Sequence, residues 1–479
     1  MSNRFTVFGM TILVLTSACA TTRDAPEERA PASTSKDPSW LRSPELSHLQ
    51  LSAPLQKIFK EKKNSDEAPA EAPGVLSYFD STVTGGKRRI PVKVKVRGHT
   101  NFMEGECTFP KLTLKFKAAD VVHTPFEGLE KIKLGTHCGD QPLTAEPAKL
   151  FTPKNRILNQ LGIVREAFAY ELLRTFGVIT LSSRLIDMSY QDTSGAGASR
   201  SITRKAMLLD DEEELAKRLN ARALKYTEST PDGPADPKLP VFRNAQEEGL
   251  LASQVAEVLL SEALLGNHDF FLVTSRNDHT GDGGPGLYNA QVLENVSNHH
   301  KTVIPYDFDI ASSINGRNAI SAALDSYDLG IFRNMTPVQY FILLRVQTAR
   351  ALLSKAATSQ ARAKFTSARE KAYSALNAFP LDATGRVNFK AHLDYFFEAI
   401  GNSYELPVIL ESKGVLAYHD AGQKELCGRL PRGTVIQKIQ ERDLMVQVHI
   451  LSPLPSAEDD ACEMKGPFWI SRTSTAGVR

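Results

Sequence analysis

The early part of this chain carries a hydrophobic period of two and the later part a helical period, and that order limits the architecture more than any other feature. In RRIPVKVKVRG, residues 88–98, Val92, Val94 and Val96 alternate with Lys93, Lys95 and Arg97, the pattern of a half-buried strand. FPKLTLKFK, residues 109–117, repeats it: Leu112, Leu114 and Phe116 share one face, and Lys111, Thr113, Lys115 and Lys117 share the basic outer one. KIKLG, residues 131–135, reads as a third strand. After Asn155 the pattern turns helical through NRILNQLGIVREAFAYELLRTFG and closes at Gly177, a C-terminal cap. VITLSSRLIDMSY and KAMLLDD return to strand, and EEELAKRLN is helical. Beyond a proline-rich surface loop near residues 230–240, EEGLLASQVAEVLLSEALLG is a strongly apolar helix, and residues 335 to about 400 are mostly helix. Strands with one helix, followed by mostly helices, predict a two-lobed α+β fold.

A chain of 479 residues exceeds one ordinary core, so two or three folded units are expected. A net charge of +2 supplies no field to draw in a polyanion, which removes nucleic acid from the leading partners. The last seventy or so residues, with GVLAYHDAG, LPRGTVIQKIQERDLMVQVHIL and GPFWISRTS, are short strands broken by turn signals. That stretch, residues 406–479, resembles a bacterial SH3-like module, with a plain β appendage as the alternative.

At the other end, Arg4 precedes FTVFGMTILVL, an apolar run too short to cross a bilayer, and small residues follow. Residues 1–18 read as an export signal, with a non-cleaved anchor helix as the alternative. LTSAC resembles a bacterial lipobox, which implies cleavage before Cys19 and acylation of that cysteine. Thr16 is less usual at its position, so ordinary signal-peptidase cleavage stays open. Ala20 after the cysteine, in place of Asp, implies the outer membrane of a Gram-negative cell and a periplasmic protein. Residues 19–75 are expected to be a flexible tether with a short helix, since 20–43 and 60–74 are rich in proline, alanine and charge. If Cys19 carries lipid, the other four cysteines form two local pairs, Cys107 with Cys138 and Cys427 with Cys462. In an oxidising compartment each bridge would stabilise its unit by about 3 kcal/mol. Buried free thiols are the other reading; the wide spacing without CxxC argues against zinc.

The chemistry-bearing residues fall at the ends of elements. The apolar helix 249–265 runs into GNHDFFLVTSRND, which sets His268 and Asp269 where a helix stops. LYNAQVLEN carries Asn289, and the strand in KTVIPYDFDIA ends in Asp307 and Asp309. Mg²⁺ takes oxygen ligands, commonly one or two carboxylates with phosphate oxygens completing the shell. Phosphoryl transfer needs a further carboxylate to orient the attacking hydroxyl and a cation on the donor's phosphates. Lys111 is the candidate cation. Each has a plainer reading: strand-end turn acids for Asp307 and Asp309, a solvated strand lysine for Lys111, a strand-edge asparagine for Asn289. His268 reads as a loop or hydrogen-bonding residue, and the His299 and His300 pair as exposed loop.

VRGHT (96–100), FPKLTLKF (109–116), REAFAYELLRTFGV (165–178), GNHD (266–269), YNAQVL (288–293) and VIPYDFDIA (303–311) occur in the order of the spore-coat CotH-like kinase family. The resemblance spans about residues 80–400 and is sharpest at PYDFD. It implies a protein-kinase-like domain over 76–402, ATP or another phosphorylated donor, Mg²⁺, and phosphorylation of protein serine or threonine. By that match Lys111 grips phosphate, Asp269 is the catalytic base, and Asn289 with Asp307 holds the metal, Asp309 being a second ligand or a support. Either Glu166 or Glu171 partners Lys111; five residues apart, they diverge by about 140° around a helix, and Glu166 is preferred. Asp210 could sit at a nucleotide hinge or simply cap a strand end. The chain departs from the family in its long 269–289 loop, in Tyr306 where tryptophan is usual, and in RGHTNFMEG as the nearest thing to a glycine-rich phosphate cover. A periplasm poor in ATP leaves a second class open: a non-enzymatic cell-envelope lipoprotein of pseudokinase type. It would bind protein partners, or peptidoglycan through the SH3-like unit.

Overall fold

The structure is a computed structural model. It describes residues 37–64, 71–98, 105–142, 145–146, 149–195, 201–227, 229–230, 233–234, 236–274, 286–316, 335–402, 409, 415–424, 426–430, 434, 436–450 and 467–471. Cys19 and Cys462 lie outside these residues. The fold is mixed α+β: a seven-stranded closed barrel, a helical layer with two small sheets and a hairpin, and a five-stranded sheet.

A one-turn helix α1 (Ser39–Arg42) buries Trp40 and leads into β1 (His48–Ala53) and helix α2 (Leu55–Asn64). β2 (Glu71–Phe79), β3 (Lys87–Val96), β4 (Leu112–Lys115) and β5 (Lys131–Gly135) follow as antiparallel neighbours. After helix α3 (Gln160–Thr175), the strands β6 (Ser183–Asp192) and β7 (Ser201–Leu209) complete the ring. β1 closes it by pairing in parallel with β6. Alternate residues, Leu49, Leu76, Val92, Val94, Leu112, Leu114 and Leu208 among them, fill the barrel.

The tether expected over 19–75 is corrected here, because the strand β1 is part of the barrel, and Trp40, Leu46, and Leu55 and Ile58 of α2 are buried in its core. Leu49, Leu51 and Ala53 alternate inward over only six residues, too short a run to stand out between polar and proline-rich flanks. The Pro73–Gly74 step, expected as linker, lies inside β2 opposite Lys93 and Val92. A Cβ on Gly74 would come within 2.9 Å of Val94 and 3.0 Å of the Ser52 carbonyl, so glycine serves close strand packing there.

α3, capped by Asn159 and with no exposed residue, packs against β6 and β7. Next come α4 (Glu212–Arg218), capped by Asp211, then β8 (Ala221–Ala223), and a minimal hairpin of β9 (Ser229–Thr230) with β10 (Gly233–Pro234). The apolar helix α5 (Ala252–Leu265) is central. β11 (Phe271–Leu272) pairs with β12 (Leu287–Tyr288), while β13 (Ala290–Asn295) and β14 (Lys301–Pro305) form a sheet with β8. The short helix α6 (Ser312–Asn315) precedes α7 (Pro337–Leu352), α8 (Lys355–Ser367), α9 (Arg369–Ala378) and α10 (Ala383–Gly401), which pack around α5 and α3. No helix among the described residues is long and apolar enough to cross a membrane.

The C-terminal strands β15 (Val415–Tyr418), β16 (Leu426–Leu430), β17 (Ile436–Arg442), β18 (Met445–Ile450) and β19 (Phe468–Ser471) form one antiparallel sheet, ordered β16-β15-β19-β18-β17. Its buried residues, Val415, Ile436 and Phe468 among them, belong to the same continuous core as α3, α5 and the later helices.

Candidate functional site

The polar cluster forms where the outer face of β4 meets α3 and the end of β14. Lys111 directly precedes β4, with its neighbours Leu112 and Leu114 pointing into the barrel. The sequence reading put Lys111 on the outer face of its strand as the candidate cation, with a solvated strand lysine as the alternative; the structure rules out the alternative, because α3 and the 307–309 segment cover that face. Its side chain is only 9% exposed. Nζ lies 2.9 Å from Asp307 Oδ1, 3.0 Å from Asp309 Oδ2 and 3.6 Å from Glu166 Oε1. Burial alone would depress the ammonium pKa, but the three carboxylates more than offset it and hold it well above the usual lysine value. Of the two glutamates on α3, Glu166 turns to Lys111 and Glu171 to Arg174. Burial, together with Asp309 and Asp307, raises the Glu166 pKa against the pull of Lys111.

The geometry of the 306–309 turn explains how two acids converge. Phe308 is fully buried against the Tyr170 ring, at 4.8 Å between centroids. Asp307 adopts a left-handed φ of 61°, and its N–H donates to the Tyr170 hydroxyl at 3.0 Å. With Phe308 anchored inward, both flanking carboxylates reach Lys111. Asp309 Oδ2 also accepts from Arg156 Nε at 2.8 Å, and Arg156 in turn pairs with buried Glu106 at 2.9 Å. Glu106 adjoins the disulfide between Cys107 and Cys138, which pins its loop to the end of β5. The same residue accepts from the Lys154 N–H. Cys427 is also disulfide-bonded; its expected partner Cys462 lies outside the described residues.

On the helical side, α5 ends in a left-handed Gly266 cap, and Asp269 follows three residues on. The β11–β12 pairing, Phe271 opposite Tyr288, brings the two ends of the long 269–289 loop together. Asn289, also left-handed at φ 53°, donates from Nδ2 to the Asp269 carboxylate at 2.9 Å and to its carbonyl. β13 and β14 pair with Ala290 opposite Pro305, and the Tyr306 N–H donates to the Asn289 carbonyl at 3.1 Å, which puts Asn289 beside the Asp307 turn. Burial, with the negative charges of Asp307 and Asp309, pushes Asp269 up to about 6 despite the hydrogen bond from Asn289. The donor set suits a hard cation: the amide oxygen of Asn289, whose nitrogen is occupied, and the Asp307 carboxylate, 37% exposed. Among the described residues no group of three or more His, Cys, Asp or Glu could hold a metal ion unaided, so further ligands would come from phosphate or water.

Two further expected site residues are held by ion pairs. Both carboxylate oxygens of Asp210 go to Arg218, and one also accepts from the Ser182 N–H, so its charge is taken up by these partners at the β7–α4 junction. Asp309, expected as a second metal ligand or a support, has one oxygen shared between Lys111 and Arg156; these cations hold it well below the usual carboxylate range despite burial, which suits a support. Sequence reasoning missed Arg156, Glu106 and Tyr170. None carries a local signal, since each acts through partners 50 to 153 positions away.

No protein-family model and no curated protein matches the chain. Among solved structures it is similar to a Helicobacter pylori proinflammatory kinase, CtkA, at 10% identity and a TM-score of 0.31, over 62% of this chain and 93% of that one. A likeness that distant leaves the chemistry to the side chains.

Proposed function

We propose that this chain is an exported phosphotransferase of protein-kinase-like design, moving a phosphoryl group from ATP or another phosphorylated donor to serine or threonine of a protein. What carries the reading is one juxtaposition: a buried lysine fixed by Glu166, Asp307 and Asp309, next to an Asp269–Asn289 pair. Asp269, raised toward neutrality and 2.9 Å from the Asn289 amide, suits a base that takes the proton from an acceptor hydroxyl. Asn289 and Asp307 would hold Mg²⁺, which when bound supplies charge neutralisation on the donor's phosphates. Lys111 fixes the 307–309 turn, and Glu166 fixes Lys111. Arg156 and Glu106 keep Asp309 ionised and in place. The proposal includes acylation of Cys19, a lipid anchor to the outer membrane, and an SH3-like C-terminal unit that binds cell-envelope partners such as peptidoglycan.

The test is phosphoryl incorporation from labelled ATP into the protein itself and into acceptor proteins, with and without Mg²⁺, for the wild type, Asp269→Asn and Asp307→Ala. Metal-dependent labelling lost in both variants supports the reading. A wild type that is neither labelled nor thermally stabilised by any nucleotide with Mg²⁺ returns the domain to a binding scaffold.

A further inference from the structure

Val96 and Leu112 are register partners on β3 and β4, so the next positions, Arg97 and Lys111, stand opposite one another, the Arg97 N–H donating to the Lys111 carbonyl at 2.9 Å. Val96 and Leu112 point into the barrel core, and Arg97 and Lys111 therefore leave the sheet together on its outer face. Two cations directly opposite on one face repel. Lys111 answers that with three carboxylates. Arg97 does not: its Nε and Nη2 are buried and have no hydrogen-bond partner among the described residues. Its charge is nonetheless close enough to act on Lys111, Glu166, Tyr170 and Tyr306, so it faces the same site. Arg97 is half-buried overall, but buried guanidinium nitrogens without a partner are costly unless an anion completes them, and the planar fork matches two oxygens of a phosphate.

We propose that Arg97 is the phosphate-gripping residue of this site and that Lys111, neutralised by its carboxylates, is the fixed cation that positions them. The ligand class is a di- or triphosphate. The inference rests on the phosphotransferase reading but moves the phosphate contact from the expected Lys111 to a residue one strand away. The glycine after Arg97, left-handed at φ 96°, turns the backbone there.

Calorimetric titration of the full chain with adenosine, ATP plus Mg²⁺, and inorganic pyrophosphate tests it, for wild type, Arg97→Gln and Arg97→Lys. Arg97→Gln is expected to bind ATP and pyrophosphate about 10- to 100-fold more weakly with adenosine unchanged, Arg97→Lys falling between. Its ligand-free melting temperature should stay level or rise, because an unpaired buried charge is gone. Unchanged pyrophosphate and ATP affinity in Arg97→Gln overturns the assignment. So does an equal loss for all three ligands with a lowered melting temperature, which marks a structural role. If the wild type takes up pyrophosphate but not ATP, and Arg97→Gln loses that uptake, ATP as the donor fails while the Arg97 assignment stands; if the wild type takes up neither, both fail.

Discussion

Asp269 sits between a hydrogen bond that favours its charge and a buried, acid-rich setting that opposes it. The setting wins, and the carboxyl is pushed up to about 6. A base works ionised, so activity should rise with pH through about 6 and flatten above it, a limb absent from the residual activity of Asp269→Asn. Linkage gives the opposite sign for stability. A carboxyl raised in the fold contributes stability present below its unfolded value and lost as pH climbs through the folded one. Asp269→Asn should therefore melt higher than the wild type at pH 7.5, by the equivalent of about 1–3 kcal/mol, and show no such gain near pH 4. Lys111 makes the complementary case. Lys111→Met would leave Glu166, Asp307 and Asp309 as neighbouring acids without their shared cation, a loss of about 3–5 kcal/mol. Thermal melting should show that loss at pH 8 and partial recovery at pH 5, where the acids can take up protons; an equal loss at both pH values would mean that packing, and not charge, holds the cluster.

Among the elements, the site depends on how α5 stops. Gly266 is left-handed, and a Cβ there would lie 2.1 Å from Ser312 Oγ and 2.6 Å from His392 Cε1. Gly266→Ala thus combines backbone strain with collisions against α6 and α10, and a drop of about 2–4 kcal/mol is expected in denaturant unfolding. The collision displaces the turn that carries Asp269, so phosphoryl transfer should fall further than stability alone explains. α3 is fixed at its other side by a bidentate pair from Arg165 to Asp382, at 2.9 and 2.6 Å, where Asp382 is also the N-cap of α10. Helix positions and the Gly177 cap were legible from periodicity and turn residues. The hydrogen-bonded and ionic ties between helices were not, because a salt bridge between residues 165 and 382 leaves no mark on either local pattern.

For the whole molecule, the C-terminal sheet is the informative part. The sequence reading makes residues 406–479 a separate unit, yet the buried face of that sheet is continuous with the helical core. A chain ending after Asn402 is therefore expected to melt several degrees lower than the full chain, or to aggregate, as apolar surface is uncovered. Melting identical to the full chain would show a detachable module. Alternation in β3 and β4, helical periodicity after Asn155, and acids and amides at element ends are local properties, and they determined most of the secondary structure from β3 onward, the α+β class and the residue types available for chemistry. Closure of the barrel by β1, burial of Lys111 under α3, the selection of Glu166 over Glu171, and the spending of Asp210 on Arg218 were decided only in three dimensions. Each depends on which distant surface covers a given face, and a period of two or 3.6 reports that a face exists without reporting what comes to lie on it.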